Sequence, residues 1–542
     1  MSKATALHAS GPLGRRADLG RTLARLAPLA VGLAVSAPVF VLLASFFEGD
    51  GSVQAHIWTT TGPRYFAGTV LLCLAVAVAT TVIGAGAAVL VSLYEFPGRR
   101  FLSAALTLPL AVPAYISAYA YADLLGPFGA AAQFFGVETL PDIRTLPGAA
   151  FILSLSAYPY VYLAMRASFT GRSAGLLEAS RSLGASPTGA IWKTLLPAGR
   201  AALAGGLALA MMETAADFGV ADYFGVQTLS VGIFRTWYGL GDLAAASQLA
   251  AGLFLIALAL ALIEHGARRG QGADAARDYR RARRLTLSPP MQIVALVFCA
   301  APPLLGLAVP VATLLAKLEA PSAAGALFGL GAAAQNSAAV AAGGAACVLI
   351  IATMLVYSAR RTRSPFQEIA LRASTMGYAL PGAVIAIGVL AFSGALNSAL
   401  GFGLAGLALL VYAYVARFLT IGFNTVGGGI AQIHPLADDA ARSLGAGPAA
   451  IVARVHWPIA RGAFAAAALI VIVEIAKELP ATLLLRPFNF ETLATRVYRI
   501  ASDERLAEAA PAALILIGLS LVPVIWLDAI GPSRPRSAPS RD

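Results

Sequence analysis

The chain has 542 residues, 58% of them hydrophobic and only 12% charged, where an ordinary soluble domain carries about 25% charged residues. That composition, with a mean hydropathy of +0.76, excludes a water-soluble globule and predicts an all-α polytopic membrane protein. The net charge of +12 is what cytoplasmic loops rich in Lys and Arg produce, so no nucleic-acid partner is expected, and three scattered cysteines (Cys73, Cys299, Cys347) exclude a disulfide framework or a structural zinc site.

Residues Met1 to Arg25 form a basic tail ahead of the apolar run Leu26–Leu43. That run is longer than the core of a signal peptide and has no small-residue cleavage site beside it, so it is expected to stay as a first helix. Further apolar runs lie near residues 66–94, 101–125, 147–170, 199–222 and 245–265. After the basic stretch Ala267–Pro290 come six more, near 290–316, 332–357, 367–394, 402–425, 459–485 and 510–529, for about twelve spans in all. Pro109 and Pro113 in the third run and Pro381 in the ninth are expected to kink or interrupt their helices.

Arg99 and Arg100, Arg181 and Lys193, the stretch Arg268 to Arg284, Arg360 and Arg361, and Arg442 and Arg454 fall in alternate loops. The intervening loops carry Glu48, Asp50, Glu138, Asp142, Asp222 and Asp242. The excess of Lys and Arg on the cytoplasmic side of membranes then places both termini inside. The expected divisions are residues 1–65, 66–266, 267–331, 332–527 and 528–542: a tail with first helix and outer loop, a first domain, a linker with helix seven, a second domain and a tail.

The strongest signal is self-similarity. The segment Leu177-Glu178-Ala179-Ser180-Arg181-Ser182-Leu183-Gly184-Ala185 returns as Asp438-Asp439-Ala440-Ala441-Arg442-Ser443-Leu444-Gly445-Ala446, at an offset of 261 residues. The same offset relates Pro187 to Pro448, Pro197 to Pro458, Glu213 to Glu474, Asp217 to Glu478 and Arg99 to Arg360. Each copy predicts two short helices joined at a glycine of positive φ, Gly184 or Gly445. Ser186-Pro187 or Pro448 opens the second helix, which is expected to stop before Pro197 or Pro458. His434 and His456 flank the second copy and read as solvated or packing residues.

This doubled loop resembles one in the permease subunits of binding-protein-dependent ABC importers: Glu-Ala-Ala, three residues, Gly, nine residues, Ile, one residue, Leu-Pro. The first copy supplies Glu178, Ala179, Gly184, Leu196 and Pro197, with Ser180 and Thr194 as departures. The second supplies Ala440, Ala441, Gly445 and Pro458, with Asp439, Val455 and Trp457 in place of Glu, Ile and Leu. The resemblance covers residues 66–265 and 332–527 and implies two tandem, parallel-repeat type-1 (MetI-like) permease halves. It also implies two copies of a separate ATPase subunit, one under each loop, a periplasmic solute-binding protein, and a multi-pass place in a bacterial inner membrane. No G-x-x-x-x-G-K-[ST] sequence occurs. ATP and magnesium are therefore expected on the partner subunits, with no cofactor and no covalent chemistry on this chain.

Leu108 to Tyr115, running on to Asp123, is similar to the fused permeases of ferric-iron importers. So are Ala216 to Gly219, Asp222 to Gly225, Lys477 to Pro480 and Arg486 to Phe488. Fused permeases for thiamine, polyamines and other small solutes share the architecture. An ion-coupled secondary transporter is a further alternative, which the doubled loop disfavours.

Ionisable groups inside membrane helices are costly and face a cavity or a partner. Glu213 and Asp217 stand one turn apart on one face of the fifth helix, and Glu474 and Glu478 repeat them beside Lys477. They read either as an acidic constriction on a transport path or as a lock between the halves. Tyr115, Tyr119 and Tyr121 offer oxygen ligands to a hard cation, or serve as interfacial anchors. No resident metal site is assigned.

Overall fold

The computed structural model describes residues 12–45, 59–127, 129–137, 140–268, 284–320, 327–361, 365–374, 380–401 and 406–530, together with residues 55, 325, 377 and 403. Within them the chain is almost wholly helical. The one sheet pairs Tyr94–Glu95 in parallel with Leu285–Thr286.

The main helices in chain order are α1 (Pro12–Ser45), α2 (Gly62–Leu93), α3 (Ala114–Leu125), α4 (Leu146–Ser182), α5 (Arg200–Ala216), the short α6 (Gly219–Tyr223) and α7 (Leu243–Arg268). Next come α8 (Pro289–Lys317), α9 (Leu330–Arg361), α10 (Gly382–Leu400), α11 (Leu407–Ile430), α12 (Pro435–Ser443) and α13 (Trp457–Lys477). The short α14 (Pro480–Leu485), α15 (Leu493–Ser502) and α16 (Leu506–Ile530) complete the chain.

Among the described residues nine helices are long and apolar enough to cross a bilayer, and two bent pairs could each make one more. With the shorter apolar helix Pro28–Ala44, each of the twelve apolar runs has its counterpart. The prolines act where expected. Leu108–Ala111 tightens into a 3-10 turn, and α3 starts after Pro113 at 93° to the preceding segment. Pro381 immediately precedes α10, whose run is shorter at its start than the sequence predicts.

Two compact units emerge, and they do not follow the tandem halves. One gathers the described residues of 1–41, 338–378 and 388–475; the other those of 42–337, 379–387 and 476–542. In the first, the N-terminal helix is built into the second half. Ser374 Oγ donates to the Pro28 carbonyl at 3.3 Å, and the Tyr412 hydroxyl donates to the Ala34 carbonyl. A Cβ on Gly388 would stand 2.7 Å from the Pro38 carbonyl oxygen, so glycine there permits a close backbone approach. In the other unit α8 belongs with the first half. Tyr121 donates to the Leu305 carbonyl at 2.8 Å, and Lys317 pairs with Asp123 at 2.7 Å.

Candidate coupling loops and transport path

The two loops share a backbone register. Gly184 has φ +86° and Gly445 φ +82°. The amide of the residue after each glycine reaches back to the helix, Ala185 to the Ser180 carbonyl and Ala446 to the Ala441 carbonyl, both at 3.0 Å. That six-residue closure satisfies carbonyls a helix end leaves open, and it needs the left-handed conformation that glycine adopts without strain. Ser186 caps the next helix by accepting from the Gly189 amide at 3.1 Å.

Two expectations are corrected. The first helix of loop one is not separate, because α4 runs unbroken from the apolar region to Ser182; in loop two α12 is a distinct helix after α11. Nor do Pro197 and Pro458 end the second helix. A π-helical turn precedes each, at Ile191–Leu195 and Val452–His456, offset by the same 261 residues. The wider turn accommodates a ring that would clash in a regular helix. The bend comes two residues after each proline, at Gly199 (φ −85°, ψ −1°) and Ala460 (φ −96°, ψ 15°).

Ala179, Gly184 and Pro197 are exposed in loop one; Asp439, Ala440, Gly445 and Pro458 are exposed in loop two. The Glu178 side chain lies outside the described residues. Asp439 pairs with Arg442 one turn on. Trp457 rests against Phe464, ring centroids 4.9 Å apart. Sequence reasoning passed over Leu183 and Leu444, the residues before the glycines. Each is 87% exposed, and their repetition at one loop position was the available signal.

Each loop is closed by a polar bridge between its two helical segments, made by different residues. In loop one the two departures from the family pattern meet: Ser180 Oγ donates to Thr194 Oγ1 at 3.0 Å. Their counterparts in loop two are Ala441 and Val455. There the bridge is His456 Nε2 to Asp438 Oδ1, 2.8 Å, with both residues buried. Their counterparts in loop one are Leu177 and Leu195. His456 is thus buried and hydrogen-bonded to the carboxylate that pairs with Arg360, whereas the exposed His434 caps α12 by accepting from the Leu436 amide. Burial alone would raise the Asp438 pKa. Hydrogen bonds from His456 and Arg360 outweigh it and hold the carboxyl below its ordinary 3.8.

The proposed path residues are placed differently from the expectation. Glu213 lies inside α5, but Asp217 has left the helix with ψ 129°. Its carboxylate accepts from the Val220 and Ala221 amides at 3.0 and 3.2 Å and so starts α6. Glu478 does the same for α14, accepting from the Ala481 amide at 3.2 Å, while Glu474 stays within α13. Asp217 and Glu478 are therefore helix caps, and the shared helical face of each carboxylate pair is lost. Lys477 ends α13, where a cation suits the helix terminus.

Tyr115 stands between the two cap turns. A Cβ on Gly219 would be 2.6 Å from Tyr115 Cβ and 3.3 Å from Leu479 Cδ2. The Tyr115 hydroxyl is buried, with no hydrogen-bond partner among the described residues. Tyr119 packs edge-on to it at 6.2 Å and shares a 3.1 Å hydrogen bond with Ser502. Tyr498 donates to Asp222 at 2.7 Å, and Arg144 donates to the Tyr223 hydroxyl at 2.9 Å and to Glu504 at 2.8 Å. Among the described residues no three His, Cys, Asp or Glu side chains group closely enough to hold a metal ion.

Residues 80–265 match the family described as binding-protein-dependent transport system inner membrane component. The Fe(3+)-transport system permease protein FbpB 2 of Haemophilus influenzae is 28% identical over 467 residues, 85% of this chain and 88% of that protein. The sulfate transport system permease protein CysT of Salmonella typhimurium is 28% identical over 169 residues, 30% of this chain and 61% of its own. A probable molybdenum ABC transporter permease protein of Haloferax volcanii is 29% identical over 173 residues, 32% of this chain and 62% of its own. Residues 80–265 thus resemble the membrane component of binding-protein-dependent transport systems, and the repeated, glycine-closed loop lies inside that matched region and again in the second half.

Proposed function

We propose that this permease imports ferric iron, delivered by a periplasmic binding protein and driven by two ATPase subunits docked on the loops at Glu178–Pro197 and Asp439–Pro458. The observation that carries the docking role is the repetition, in one register, of a left-handed glycine preceded by an exposed leucine. Leu183 and Leu444 are apolar knobs, each 87% exposed, suited to a groove in a partner. ATP and magnesium belong to those partners. Both termini lie in the cytoplasm, on the side of the loops.

The iron reading rests on the relative that spans most of the chain and on the oxygen-rich surroundings of Tyr115, Tyr119, Asp217 and Glu478. Cap carboxylates and phenols suit a hard trivalent cation as transient cargo. Glu213 and Glu474, one turn before each cap, extend the acidic character of both segments. A second cargo class, a tetrahedral oxyanion, is favoured by the relatives named for sulfate and molybdenum.

Uptake of radiolabelled ferric iron, sulfate and molybdate into vesicles carrying the whole complex separates the readings. Iron uptake that excess sulfate or molybdate does not inhibit is expected; inhibition, or transport of the anions alone, transfers the assignment to oxyanions. Replacing Gly184 and Gly445 by Trp should abolish ATP-driven uptake, because a bulky residue at positive φ distorts the docking knob. Uptake and ATPase association at parent levels would refute the coupling role.

A further inference from the structure

The repeat offset exposes an exchange of charge between the halves. Arg99, 7% exposed, pairs with Glu95 on its own segment at 3.2 Å and donates to the Val91 carbonyl. Its counterpart Arg360 has Val356 where Glu95 would be. Arg360 instead reaches the loop: Nε donates to Asp438 Oδ2 at 2.9 Å, and its terminal nitrogens donate to the Ile430 and Ile433 carbonyls at 2.9 and 2.7 Å. Asp438 in turn accepts from the fully buried His456.

The local fold explains how. The first-half helix α2 stops at Leu93, and Gly98 turns the chain with φ +73° before Arg99. In the second half α9 continues to Arg361, which carries Arg360 to the loop. Each arginine keeps a carboxylate, but only the second takes its carboxylate from a coupling loop. At the Leu177 and Leu195 positions loop one has two apolar residues, and Leu195 is buried among Ala190, Ile191 and Met165.

We infer that Asp438 is a positioning residue for coupling. Through Arg360 and His456 it joins α12 of the second loop to the end of α9, the end of α11 and the π turn, so that these four segments move as one body. Loop one lacks this tie and follows its ATPase subunit through α4, with which it is continuous. The two loops thus transmit nucleotide-driven motion by different routes. This inference rests on the docking role proposed above.

The test moves the charge while preserving it. In the triple variant V356E/D438L/H456L, Arg360 regains a carboxylate on its own helix and loop two receives the apolar pair of loop one. Spin labels at the exposed positions Leu436 and Met354, in the full chain in nanodiscs, report the spacing of α12 from α9. The same variant is assayed with its ATPase subunits for ferric-iron uptake per ATP hydrolysed. The parent should give one narrow distance and the triple variant a broad one, with uptake per ATP about tenfold lower, a usual size for coupling between sites. D438E should restore both, and D438N, close to the native shape, should behave as the triple variant if that variant fails to fold. A narrow distance in the triple variant or D438N, or an unchanged ratio, overturns the inference. A parent that binds no ATPase subunit overturns the docking role instead, and the distance measurement still decides whether the tie exists.

Discussion

Asp438 and Gly219 show how much one position can carry. Two hydrogen-bonded partners hold the Asp438 carboxyl below its ordinary 3.8, so its contribution to loop two is fully present above that value. It is lost as pH falls through the lowered folded value. Amide protection of Leu436–Ser443, corrected for intrinsic exchange, should therefore stay level from neutral pH down to the ordinary carboxylate range and then collapse. Asp438→Leu should remove it at every pH, because the half-buried Arg360 would lose its carboxylate and the buried His456 its hydrogen bond, a loss of about 3 kcal/mol. Gly219→Ala acts by contact. The added carbon would meet Tyr115 Cβ at 2.6 Å, so the chain should lose about 1–3 kcal/mol in thermal unfolding. Equal melting temperatures for the variant and the parent would show that α3 and α6 can separate without cost.

Within the loop, the paired bridges make a testable unit. Thr194→Val leaves Ser180 without its acceptor and should cost about 1 kcal/mol. The double variant S180A/T194V reproduces the apolar pair Ala441 and Val455 and should recover most of it; a double-mutant cycle on thermal unfolding reads the difference. The loops themselves were legible because glycine at positive φ and proline leave compositional marks. The bridges were not, since Ser180 and Thr194 look like independent departures until two helical segments bring them together. The caps were half legible. Spacing of four puts Glu213 and Asp217 on one face only if the helix continues, and it does not. Yet Pro480, just after Glu478, is a first-turn proline that signals a new helix. His456 deceived for another reason: a histidine without ligand spacing reads as bland, and only burial beside Asp438 makes it a hydrogen-bond partner of that carboxylate.

At the level of the whole chain, the twelve apolar runs and the tandem repeat were visible in the order of residues alone. The grouping into units was not, because hydropathy records that a helix is apolar and not which helices it packs against. The N-terminal helix is fixed among second-half residues by Ser374, Tyr412 and the glycine at position 388, while α8 is fixed among first-half residues by Tyr121 and Lys317. These contacts predict that packing holds the exchanged helices without the covalent link. Cutting the chain at a protease site inserted within Ala267–Pro290 yields one fragment with α1 through α7 and another with α8 through α16. Each fragment then carries a helix that belongs to the other's unit, so tagging the first should recover the second from detergent at equal amounts, and uptake should survive the cut. Deleting the segment up to Ser45 from the first fragment should expose Ser374, Gly388 on α10 and Tyr412 on α11, the partners of Pro28, Pro38 and Ala34, and weaken recovery. Fragments that separate cleanly on cutting, before any deletion, would show that the exchanged helices contribute no binding energy, because nothing covalent would then remain to hide their contribution.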